Sequence, residues 1–256
     1  MKQNRTSLKV AFDMLWTQWT WTFGFLGIVL LIHIFNMVRG AIQGNEFDNY
    51  YNSVFVAGNI YMFVIGIISI YFLSYYVENG VTRKNYFTGA FLAAVGIAIT
   101  IPVVSFLVSM VEQLFFNPSF RVMEINSVVT DIDDSIIGYL IGSFVVSPYV
   151  DPTAHWLLSL AIFSLNLFIY YIFGWLISAT FNRFRTIGGL ATIVIGLIVV
   201  IFLDACIRHA LQLPTPMWFS LVDFFSTPLT VFIILFLTGC MLLAIRLITS
   251  RAPIKI

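Results

Sequence analysis

The sequence predicts an all-α membrane protein with six transmembrane helices. An N-terminal amphipathic interfacial helix precedes them, a short cytoplasmic helix joins the second and third spans, and short extracellular or re-entrant helices complete the fold. Three observations carry this expectation. The 256 residues are 60% hydrophobic and only 10% charged, with a mean hydropathy of +0.95, whereas soluble domains carry about 25% charged residues. Six apolar runs approach the roughly 20 residues that a spanning helix needs. Lysine and arginine gather in alternate connections. No polar stretch is large enough for a separate soluble domain, so residues 1–256 form one membrane domain.

The N-terminus begins with a basic, amphipathic stretch and lacks a small-residue cleavage pattern, so it is not a removable signal. Residues 1–18 are expected to lie in the membrane interface. At helical spacing Leu8, Phe12, Leu15 and Trp19 form an apolar stripe, leaving Lys2, Arg5 and Lys9 to water and anionic head groups. The spans are expected at residues 19–38, 54–77, 88–111, 156–180, 187–207 and 228–249. Runs of this length satisfy their backbone polar groups in lipid only as helices. An eleven-residue apolar piece, 136–146, is too short to cross and belongs to an extracellular loop over 112–155.

Orientation follows from the basic residues. With the N-terminus inside, Lys2, Arg5, Lys9, Arg83, Lys84, Arg183, Arg185, Arg246, Arg251 and Lys255 are cytoplasmic, and only Arg39, Arg121 and Arg208 lie outside. Positive residues favour the cytoplasmic side, which places both termini inside a cell-membrane protein. Most acids fall on the outer side, as in a solvated loop or a surface that attracts cations. Cys206 and Cys240 lie in apolar runs and read as packing residues, with no metal-type spacing.

Intramembrane polar residues are costly and are candidates for function. His33 and Asn36 sit near the outer end of the first span, followed by Arg39, roughly on one face. Asp204 and Arg208 are spaced as a helical ion pair, and serve either that local pairing or an outer gate or substrate contact. The connection over 208–227 holds Pro214, Pro216 and the aromatics Trp218, Phe219 and Phe224, which either anchor at the interface or plug an outer mouth. Small residues that let helices approach include Gly24 and Gly27 in the first span, Gly89, Ala93, Ala94 and Ala98 in the third, and Gly188, Gly189 and Gly196 in the fifth. Pro102 is expected to kink the third span.

The charged gap VENGVTRKNYF, residues 77–87, is more particular than orientation alone requires. A glycine can end the second span, Thr82 can cap the next helix, two cations follow, and Tyr86 and Phe87 open the third span. A short helix over 78–87 would bury the aromatic pair and present Arg83 and Lys84 to the cytoplasm. The segment resembles the region after the second span in type-2 ABC exporter permeases, where a G-[VS]-[ST]-R-x-x-[FY]-[FL]-x-G pattern forms the coupling helix. Gly80, Val81, Thr82, Arg83, Tyr86, Phe87 and Gly89 occupy the matching positions.

The resemblance implies a permease subunit whose coupling helix (Glu78, Gly80, Thr82, Arg83, Lys84, Tyr86, Phe87) docks on a separate ABC ATP-binding subunit. ATP and magnesium belong to that partner, and no cofactor belongs to this chain, which contains no G-x-x-x-x-G-K-[ST] phosphate loop. It also implies a second permease, a copy or a paralogue, meeting the first along Gly24, Gly27 and Gly196. Short re-entrant helices over 208–227 would close the outer mouth. In size and aromatic character the chain resembles permeases of the phenol-soluble modulin and antimicrobial-peptide exporter kind, so an amphipathic peptide or lipid-like substrate is expected. Nucleic acid is not an expected partner. A non-transport membrane sensor or structural subunit is the alternative. An intramembrane enzyme is weaker, because no G-x-S-x-G, no H-E-x-x-H and no acidic pair at helical spacing occurs within the spans.

Overall fold

The computed structural model describes residues 2–43, 48–116, 148–213, 215 and 217–252. All regular elements among them are helical: α1 (Lys2–Gln43), α2 (Tyr50–Ile68), α3 (Tyr71–Glu78), α4 (Arg83–Phe116), α5 (Trp156–Ala210), a 3₁₀ segment (Met217–Phe224) and α6 (Thr227–Ser250). Five helical stretches are long and apolar enough to cross a membrane: Thr6–Gln43, Tyr50–Glu78, Arg83–Phe115, Trp156–Ala210 and Thr227–Ser250. The chain is thus an all-α protein of multi-pass membrane character. The expected apolar piece at 136–146 lies outside the described residues.

The expected interfacial helix and first span form one unbroken helix, because neither proline nor glycine occurs before Gly24. Its buried stripe runs Val10, Met14, Gln18, Thr22, Leu26, Val29 and His33. Leu8 and Phe12, of the apolar stripe expected to lie in the membrane interface, are 48% and 70% exposed and lie off the buried stripe. Helix α4 packs along this stripe and its flank: Val10 meets Gly89, and Leu15 meets Gly96.

The Asn49 side chain starts α2 by accepting the Asn52 N–H at 2.8 Å. The helix breaks at Ser69, where the carbonyl accepts the Tyr86 hydroxyl at 2.6 Å. Such a side chain inserted at the backbone ladder is a recognised cause of helix bending. The short α3 then ends in a Schellman turn: Gly80, at φ 79°, donates to the Val77 carbonyl at 3.0 Å, and Val81 donates to that of Tyr76 at 2.9 Å. Thr82 Oγ1 accepts the Asn85 N–H at 3.3 Å and starts α4. The sequence places a separate helix across 78–87, but residues 79–82 are consumed by this turn and Arg83 already opens the 34-residue α4. The short helix lies one step earlier, at Tyr71–Glu78. Pro102 sits inside α4 without ending it.

Helix α5, 55 residues long, is interrupted at Arg185, whose φ of 59° and ψ of −153° are not helical. An added Cβ at Gly196 would fall on the Phe173 ring, and one at Gly189 on the Phe181 ring. In a straight helix residues 173 and 196 would be about 35 Å apart at 1.5 Å per residue. The two arms of α5 therefore fold back on one another around Arg185.

The tightest crossing joins α2 to the first arm of α5. A Cβ at Gly66 would land on the Tyr171 carbonyl oxygen, and one at Gly174 on that of Phe63. These reciprocal glycines let the two backbones touch, the usual device for helix association in lipid. Met62, Ile65, Tyr171, Phe173 and Trp175 are buried around them. Pro228 lies in the first turn of α6, and α6 packs along α5.

Candidate functional site

Two polar ends and a cleft contain the residues that can do chemistry or bind a partner. At the basic end, the Arg83 guanidinium donates to the Ser250 and Ala252 carbonyls at 2.8 and 2.9 Å. The Ser250 carbonyl is the last of α6 and that of Ala252 lies two residues beyond it, so neither has a partner within the helix. Arg83 therefore caps α6, while Lys84 is exposed with Glu78, Gly80 and Thr82. Tyr86 is fully buried, edge-on to Trp175 of α5, and Phe87 stacks on the same indole at 5.5 Å. Of the aromatic pair expected to be buried, Tyr86 is buried and Phe87 half-buried. The two cations, expected to act together, have separate tasks.

The same end is bound together by Asp13 and Arg183. Asp13 of α1 accepts the Tyr76 hydroxyl at 2.5 Å. Arg183 donates to the Leu247 carbonyl at 3.1 Å and lies 4.8 Å over the Phe184 ring. A polar knot follows deeper in the bundle. Gln18 donates to the Tyr171 hydroxyl at 2.9 Å, and that hydroxyl lies 2.6 Å from Ser69 Oγ.

At the opposite end, His33 Nε2 meets Glu112 Oε1 at 2.7 Å, and its Nδ1 meets Ser53 Oγ at 3.0 Å. Glu112 Oε2 accepts the Tyr50 N–H at 3.0 Å, so the carboxylate also occupies the N-terminus of α2, where negative charge is favourable. Ser109 accepts the Tyr51 N–H at 2.7 Å. Asn36 and Arg39 are exposed and do not share this cluster. Glu112 was assigned to the outer loop from sequence. Its signal was the spacing of Ser105, Ser109 and Glu112, one turn apart along α4 and all buried.

Asp204 and Arg208 form the expected helical pair at 2.8 Å, both buried. His209 donates to the Phe225 carbonyl at 3.0 Å and lies 3.5 Å from Asp223, which ties the 3₁₀ segment to α5. His33 and His209 thus serve different partners. Phe224, expected either to anchor at the interface or to plug an outer mouth, is 85% exposed. The side chains of Trp218 and Phe219 lie outside the described residues.

Tyr149, in the segment before α5, donates to Asn52 Oδ1 at 2.9 Å. Burial, with Asp151 nearby, pushes its phenol well above the ordinary tyrosine value. It stays protonated and able to donate.

A cleft of about 1190 Å³ opens between α2–α3 and the fold-back of α5. Phe63, Ile67, Phe173, Ile177, Ile193 and Leu197 line it, and Ser178, Asn182, Arg185 and Thr186 make its polar part. Of the expected interface glycines, Gly24 and Gly27 face open space, with nothing within 4 Å of an added Cβ. Gly196 is buried against Phe173 of its own chain. The fold-back supplies its neighbour, leaving no room there for a second subunit. No known protein family, curated protein or solved structure matches the chain.

Proposed function

We propose that this chain is the transmembrane permease subunit of an ATP-driven exporter. It crosses the cell membrane six times with both termini in the cytoplasm, and it moves an amphipathic peptide or lipid-like substrate. The two folded-back arms of α5 count as the fourth and fifth crossings, with Arg185 at the turn between them. The six crossings put Arg83, Lys84, Arg183, Arg185, Arg246 and Arg251 together on the inner side. The observation that carries the reading is the turn at residues 79–82. It is stiffened by a Schellman motif before it and a threonine cap after it, and it is tied to α5 through Tyr86 and Phe87 on Trp175. A push on the exposed Glu78–Lys84 surface passes directly into the bundle.

An ABC ATP-binding subunit, holding ATP and magnesium, supplies that push. A second permease meets this one across the open face of α1 at Gly24 and Gly27. His33, Glu112, Asp204 and Arg208 close the outer end. Tagged protein purified in mild detergent should bring down an ATPase whose turnover depends on this chain. In vesicles the complex should accumulate an amphipathic cationic peptide, and Lys84→Glu should uncouple it. A chain that purifies alone, or vesicles in which ATP drives no peptide uptake, would overturn the proposal.

A further inference from the structure

We propose that the cleft between α2–α3 and the fold-back of α5 is a binding site for an anionic membrane lipid, with Arg185 holding the headgroup. The lining is graded along its length. Phe63, Phe173 and Leu197 come from the middle of long apolar helices, whereas Asn182, Arg185 and Thr186 lie where the two arms of α5 meet. One end thus matches acyl chain and the other matches a charged group. The volume of about 1190 Å³ lies just above the roughly 300–1,000 Å³ of sites for drug-sized ligands, which suits a chain-bearing molecule.

The sign of the headgroup follows from the charges at the mouth. Arg185 is exposed, and its guanidinium makes no hydrogen bond or ion pair among the described residues. Its neighbour Arg183 is occupied by the Leu247 carbonyl and the Phe184 ring. Among the described residues no acidic one lines the cleft. Arginine presents a planar fork that matches phosphate oxygens, and the Asn182 amide and Thr186 hydroxyl stand beside it as further donors. Arg185 also holds a backbone conformation, φ 59° and ψ −153°, that is costly for any residue with a Cβ. Glycine at that position would relieve the backbone while removing the charge, which makes a clean test.

The inference needs the chain to sit in a membrane but needs no ATPase partner. Its failure and that of the exporter reading therefore appear in different experiments. Full-length protein in detergent is titrated with phosphatidylglycerol or phosphatidylcholine of identical acyl chains, and bound lipid is counted by native mass spectrometry. Wild type should retain phosphatidylglycerol at least tenfold more tightly than phosphatidylcholine, as expected for hydrogen bonds to a charged group. Arg185→Gly and Arg185→Gln should abolish that preference, Arg185→Lys should keep most of it, and millimolar inorganic phosphate should not displace the lipid. Ile193→Trp, which fills the apolar wall, should weaken both lipids; circular dichroism checks that each variant is folded. Equal retention of the two lipids by wild type, an undiminished preference in Arg185→Gly and Arg185→Gln, or displacement by free phosphate would overturn the site.

Discussion

Replacing Gly66 or Gly174 with alanine will drive α2 and α5 apart. At Gly66 the new methyl carbon would fall on the Tyr171 carbonyl oxygen and lie 2.9 Å from its carbon and 3.1 Å from the Trp175 nitrogen. At Gly174 it would meet the Phe63 carbonyl and lie 3.0 Å from the Ile67 nitrogen. These obstacles are backbone atoms in helices and cannot rotate aside as a side chain can. Ordinary contact needs about 3.5–4.0 Å, so the helices must separate by roughly 1 Å, loosening the buried ring packing of Tyr171, Phe173 and Trp175. Overpacking costs about 1–3 kcal/mol, and the backbone clash puts each variant near 3. At about 2–4 °C per kcal/mol for a chain of this size, the expected loss is roughly 6–12 °C. Thermal unfolding in detergent, followed by tryptophan fluorescence, measures it. Gly239→Ala is the control, because nothing lies within 4 Å of its added Cβ; it should melt at or slightly above the wild-type temperature. If Gly66→Ala and Gly174→Ala melt with the control, the crossing is not where the structure puts it.

Four further outcomes can be checked. Arg83→Gln should cost about 1–3 kcal/mol by uncapping α6, whereas Lys84→Glu should stay within about 0.5 kcal/mol of wild type; equal thermal losses would refute the separate roles of the two cations. Arg208→Ala should cost about 3–5 kcal/mol because it removes the cation paired with the buried Asp204, and the double variant Asp204→Asn with Arg208→Met should recover most of the lost melting temperature. Glu112→Ala should cost about 1–3 kcal/mol by removing the partner of His33 Nε2 and of the Tyr50 N–H, with Glu112→Gln milder, both read by thermal unfolding. The Tyr149 phenol is pushed up from its usual 10.0, so its contribution is complete below pH 10 and declines as pH rises towards its folded-state value. Tyr149→Phe should reduce the alkaline dependence in unfolding titrations.

Much of the site was legible where its signal was local. Gly80 and Thr82 announced the turn because a helix end is decided within a few residues. Asp204 and Arg208 announced their pairing by lying one helical turn apart. Glu112 was missed because it stands just past an apolar run and its partner lies on another helix, 79 positions away. Arg83 was placed beside Lys84 as a second exposed cation because the carbonyls it caps come from the far end of the chain, at Ser250 and Ala252. The packing face of α1 at Val10 and Met14 was not legible for a deeper reason. In lipid an apolar side chain is equally at home against a neighbour or against acyl chains, so hydrophobicity does not mark the packing face.

The sequence by itself determined the helical class and the membrane character, because long uncharged runs must bond their own backbone groups wherever water is missing. It also determined the local turn at residues 79–82. Only the tertiary structure decided which helices meet, through Gly66 on Gly174, and that Arg185 folds α5 back on itself, giving Gly196 its neighbour in Phe173. Without a hydrophobic force to sort helix from lipid, those choices rest on shape and hydrogen bonds between residues distant along the chain.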